Sequence, residues 1–155
     1  MAATKSVVVE RRIRATPGPV WETMTDLKGM ERILSGVDRV EVLTEGVFGV
    51  GTRWRETRKM FGKEATEEMT VTESEPPDRY VTVADSHGMH YVSEIALRPD
   101  GTGATTVRMT FSARPAAGRS TGLLTRLLSG LGARAVSRVL AKDLDDVAAS
   151  VERRG

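Results

Sequence analysis

A chain of 155 residues with 39% hydrophobic and 28% charged residues has the make-up of a single globular domain, which excludes a fibrous or disordered chain. It holds no cysteine, which excludes disulfides and thiol-based metal or redox chemistry and suits a cytoplasmic protein. The formal charge is only +2. Arginines alternate with acidic residues, as in Arg53-Trp54-Arg55-Glu56, so no basic face is available to a nucleic-acid partner.

The N-terminal residues carry no signal-like apolar stretch, and no apolar run reaches the roughly 20 residues of a membrane span. Residues 5–14 alternate weakly around Val7, Val9 and Ile13 and read as a strand. Thr16-Pro17 then looks like a helix cap followed by proline at the first helical position. Val20, Trp21, Met24 and Leu27 recur at helical spacing, predicting a helix over 17–28, and Met30 to Leu34 allows a second short one. From Val37 to Pro115 the period becomes two, with strands expected at 37–45, 51–60, 63–74, 79–86, 89–98 and 104–114. Tight turns separate them, so neighbours in sequence should pair antiparallel. Residues 120–152 read as a long helix with Leu144, Val147 and Val151 on its apolar stripe. Gly130 and Gly132 would weaken it by about 1 kcal/mol each relative to alanine.

Side-chain parity assigns the faces. Trp54, Glu56, Arg58 and Met60 share one face of their strand, while Arg53, Arg55, Thr57 and Lys59 share the other, which reads as the solvent face. An even-residue Phe61-Gly62 turn sets Trp54 opposite Met69, Glu56 opposite Glu67 and Arg58 opposite Ala65. A His87-Gly88 turn likewise sets Ala84, Thr82 and Tyr80 opposite Tyr91, Ser93 and Ile95. Val107, Met109 and Phe111 face inward from the last strand. A mostly apolar surface with a few polar groups is the usual lining of a small-molecule site. The candidate ligand-binding residues are therefore Trp54, Glu56, Arg58, Glu67, Met69, Tyr91, Ser93, Met109 and Phe111. Glu56 and Glu67 should repel across the strands, with Arg58 diagonal to Glu67 and able to neutralise it. Such a cluster is either a compensated, wetted group at the sheet's open end or a ligand-orienting, acid–base site.

Other patterns carry less. Gly46 to Gly51 runs into a strand, whereas phosphate loops open a helix, so it reads as a hairpin loop. Asp85, His87 and His90 could surround a metal, but Asp85 and His90 fall on the outer face, so an exposed turn with a cross-strand Asp–His pair fits better. No metal or cofactor is expected. Trp21 reads as core.

The order strand, two short helices, six-stranded meander and long helix resembles the helix-grip superfamily of START and birch-pollen-allergen-like proteins, especially its bacterial polyketide cyclase/dehydrase branch (SRPBCC). The matching stretches are Ala15-Thr16-Pro17 with Val20-Trp21, Gly49 to Trp54, Val71-Thr72-Glu73 with Pro76 to Tyr80, and Leu97-Arg98-Pro99 with Gly103-Ala104-Thr105. The resemblance implies an α+β fold with a seven-stranded curved antiparallel sheet around the long helix. It also implies a cavity for lipids, sterols or polyketides, with Arg58, Tyr91 and Ser93 as candidate substrate contacts. The expected function is binding of a small apolar or amphipathic molecule. Two alternatives stand beside it. One is a cyclase or dehydratase using Glu56 or Glu67. The other is an interaction module or homodimer formed through the leucine-rich stretch from Leu123 to Leu131.

Overall fold

The computed structural model describes residues 5–60, 62–116 and 131–154. A seven-stranded antiparallel sheet runs in the order β1-β7-β6-β5-β4-β3-β2. Its strands are β1 (Lys5–Ile13), β2 (Val37–Val42), β3 (Arg53–Met60), β4 (Lys63–Glu75), β5 (Arg79–Ser86), β6 (Met89–Pro99) and β7 (Thr105–Pro115). Between β1 and β2 lie α1 (Pro17–Met24), a 3-10 turn (Leu27–Gly29) and α2 (Met30–Ile33). A long helix, α3 (Leu131–Glu152), lies against the sheet. This is the helix-grip fold. Strands β2 to β7 form a meander, and β1 closes it by pairing with β7 from Lys5↔Ala113 to Ile13↔Thr105.

The register is the one that parity predicts. Trp54 faces Met69, Glu56 faces Glu67 and Arg58 faces Ala65, while Tyr80, Thr82 and Ala84 face Ile95, Ser93 and Tyr91. The β5–β6 connection is a two-residue turn with φ of 52° at His87 and 76° at Gly88. Positive φ at both positions matches the right-handed twist of the strands it joins. Register shifts between Val37 and Arg39 and between Val71 and Glu73 place extra residues in β2 and β4. Bulges of this kind bend a strand and increase its twist, helping to wrap the sheet around α3.

Several expectations need correction. The helix expected to Lys28 ends at Met24. Asp26 accepts the Gly29 amide at 3.1 Å, and this local bond competes with further α-helical turns. Thr16 holds the cap position but makes no side-chain cap bond. Strand β2 stops at Val42 and β3 starts at Arg53, because residues 43–52 form the connecting loop. Thr57 sits on the face read as solvent-exposed yet is buried, its hydroxyl 2.8 Å from that of Thr66 opposite. Arg53 and Arg55 are exposed as expected and pair with Glu68 and Glu41. Residues 120–130, and with them Leu123, Leu124, Leu127 and Leu128, lie outside the described residues, as does Phe61.

The apolar interior falls into two clusters. The larger joins α1, α2 and the C-terminal half of α3 to the sheet through Val20, Met24, Trp54, Tyr80, Leu144 and Val147. The smaller gathers Val7, Met89, Ala113 and Val136, with Tyr91, Phe111 and Leu140 against it. Between them the concave face of the sheet and α3 do not meet.

Candidate functional site

That gap is a cavity of about 650 Å³. Its sheet wall carries Trp54, Glu56 and Arg58 from β3, Ala65, Glu67 and Met69 from β4, and Tyr80, Thr82 and Ala84 from β5. Strands β6 and β7 add Tyr91, Ser93, Ile95, Met109 and Phe111. Helix α3 supplies Val136, Val139, Leu140, Asp143, Leu144 and Val147, and α1 and α2 close one end with Met24, Met30 and Leu34. Every candidate binding residue named from the sequence thus borders this space. The volume reflects small inward side chains. Ala65, Thr82, Ala84 and Ser93 are too short to reach α3 across the curve of the sheet.

The charged cluster differs from its expected form. Arg58 does not neutralise Glu67. Its Nε donates to Glu56 at 2.6 Å, and its two terminal nitrogens donate to the Asp143 carboxylate at 3.1 and 2.8 Å. The fork-on-carboxylate geometry fixes the guanidinium in two directions. All three side chains are largely buried, at 14% exposure for Arg58, 8% for Glu56 and 10% for Asp143. Gly36 makes room for this arrangement, since a Cβ there would lie 3.2 Å from the Arg58 terminal nitrogen.

Burial pulls the Arg58 guanidinium down, but the nearby Glu56 charge and the Asp143 bond outweigh it and hold the group above its ordinary value. Burial pushes the Asp143 carboxyl above the usual carboxylate range despite its bonds to Arg58, and Glu56 pushes the same way. Asp143 therefore contributes stability that is lost as pH rises through its raised pKa. Asp143→Asn keeps the shape of the side chain without its titrating carboxyl and so serves as the non-titrating reference. The stability of wild type minus that of Asp143→Asn, measured by urea unfolding at a series of pH values, should fall with rising pH. A flat or rising difference would contradict this assignment.

Other polar groups on the wall are less engaged. Tyr80 is buried beneath the cluster; burial first, then Glu56 and Asp143, raise its phenol above the ordinary range. Burial and Glu67 raise Tyr91 in the same direction, and its ring stacks on Phe111 with centroids 5.6 Å apart. The Trp54 indole nitrogen is buried and has no hydrogen-bond partner among the described residues. At the mouth, His87 borders the cavity while its Nδ1 lies 2.7 Å from the Ser86 hydroxyl. His90 instead bonds Asp85 at 2.7 Å across the outer face, so the two histidines point to different environments.

Asp143 is the residue that sequence reasoning missed. A signal was present. Val136, Leu140, Asp143 and Val147 follow at steps of four, three and four, which puts an acid on the apolar stripe of α3. Phe48 was also missed. It leaves the loop after β2 to meet Tyr80 at 5.0 Å and Trp21 and Trp54 at 6.3 Å each between ring centroids. Trp21 packs against the core as expected.

The sheet, the gripping helix and the cavity between them define a helix-grip protein of the SRPBCC superfamily. Residues 4–152 match the family described as polyketide cyclase / dehydrase and lipid transport, and the chain belongs to that family. No curated protein matches the sequence. Among solved structures, TTHA0849 from Thermus thermophilus is 22% identical with a TM-score of 0.77, covering 97% of this chain and 99% of that one. The Zhui aromatase/cyclase from Streptomyces sp. R1128 is 20% identical at a TM-score of 0.77, covering 98% and 96%. Norcoclaurine synthase from Thalictrum flavum, in complex with a transition-state analogue, is 16% identical at 0.76, covering 99% and 98%. These likenesses establish the shared fold.

Proposed function

We propose that the chain binds a small apolar or amphipathic molecule in the cavity between the sheet and α3. The observation that carries this is the cavity itself, about 650 Å³ of space within the range of small-molecule sites, walled by apolar side chains with a few converging polar groups. Trp54, Met69, Met109 and Phe111 would hold the apolar body, and Glu67, Tyr91 and Ser93 would meet the polar end. Glu56 and Arg58 are engaged with each other and with Asp143, so their part is to fix the floor rather than to receive the ligand. The family and the likeness to an aromatase/cyclase support a second reading, cyclisation or dehydration in the same cavity. For that chemistry Glu67 is the inward carboxylate that Arg58 leaves free. Among the described residues no helix is long and apolar enough to cross a membrane.

An uncharged fluorescent probe should bind the purified protein and be displaced by a long-chain alcohol. Ala84→Trp would place an indole in the cavity and should weaken the probe by about tenfold or more, equivalent to about 1.4 kcal/mol. Failure of every apolar probe to bind would remove the cavity-binding reading.

A further inference from the structure

Resting on that reading, we propose that the cavity selects amphiphiles with a hydrogen-bond-donating or cationic head, primary amines foremost, received by Glu67, and rejects carboxylates of equal length. The selectivity comes from unmatched groups. Arg58 is the buried cation of the described wall, and both sides of its guanidinium are occupied, by Glu56 and by Asp143. Glu67 projects from the same wall, half-buried, and among the described residues no cationic group lies within 4.0 Å of it. Lys63 and His87 also border the cavity, but at its exposed rim. Lys63 stands four residues before Glu67, their backbones about 13 Å apart along the strand.

A carboxylate head entering beside Glu67 would lose its hydration with no cation within 4.0 Å of that carboxylate, among the described residues, to replace the lost water. An ammonium would gain an ion-paired hydrogen bond to the same carboxylate, and an alcohol a bond from an uncharged donor only. The class is therefore a neutral-to-cationic amphiphile.

The test is displacement of an uncharged fluorescent probe near neutral pH by decylamine, decanol and decanoate, each below its aggregation concentration. Decylamine should act at concentrations about tenfold or more below those of decanoate, with decanol between, as expected for one charge-assisted bond set against one repulsive contact. Glu67→Gln should bring decylamine to the level of decanol and leave decanol within about threefold of wild type. Equal or tighter displacement by decanoate in the wild type, or an amine preference that survives Glu67→Gln, would overturn the proposal while leaving cavity binding intact. The wild-type comparison decides the matter even where the variant folds poorly. Absence of binding by the probe and all three competitors would remove both readings.

Discussion

Arg58→Met should destabilise the protein by about 3–5 kcal/mol, the cost of leaving buried charge unpaired. The substitution keeps an unbranched apolar stem but removes the cation from between Glu56 and Asp143. Both carboxylates are about nine-tenths buried, so water cannot replace the lost partner without the site opening. One carboxylate would then have to take up a proton or the strands and α3 would have to separate. Chemical denaturation near neutral pH reads the loss directly. Adding Glu56→Gln and Asp143→Asn to Arg58→Met should recover most of it, since burying neutral groups costs far less than burying unpaired charge. A loss below about 1 kcal/mol for Arg58→Met alone would place the cluster in the class of solvent-screened surface pairs.

The strands and their register were legible because the β3–β4 and β5–β6 connections are two residues long, which leaves parity only one choice that buries Trp54 and exposes Arg53 and Arg55. Parity fixes the face on which a side chain starts, not where a long one ends. Arg58 begins on the inner face as read, but its guanidinium crosses to α3, a destination that no strand pattern contains. Asp143 stayed hidden in the run Lys142-Asp143-Leu144-Asp145-Asp146, where acids are mostly exposed and only the helical period singles one out. Asp145 does pair outward, with Arg11, whereas Asp146 is largely buried and held by Ser35 and Lys142. Phe48 lies in a glycine-rich loop with no period from which an inward side can be read. The cavity was foreseeable from the small residues of β4 to β6, but its contents depend on which polar groups the fold has already matched. That requires the coordinates of α3.

Tyr80→Ala should cost about 3–5 kcal/mol, the usual range for deleting a buried aromatic ring, whereas Tyr80→Phe should cost less than about 1 kcal/mol. Tyr80 is 5% exposed on the inner face of β5, and its ring is the hub of an aromatic group. It meets Trp21 of α1 edge-on at 5.5 Å and Phe48 at 5.0 Å, geometries that add to the burial of area alone. Deleting the ring would open the cavity toward α1 and release the loop that Phe48 anchors. The hydroxyl is another matter. Among the described residues it makes no hydrogen bond, and burial beside Glu56 and Asp143 keeps it protonated, so the fold draws little from it. A protonated phenol on the cavity wall is instead a free donor toward a bound molecule. Thermal unfolding and probe titration of both variants separate these roles. Tyr80→Phe should retain the wild-type midpoint and weaken binding only of ligands that carry an acceptor. Tyr80→Ala should lower the midpoint and weaken every ligand alike. A large stability loss in Tyr80→Phe would show that the hydroxyl is matched within the fold, and its role would then be structural.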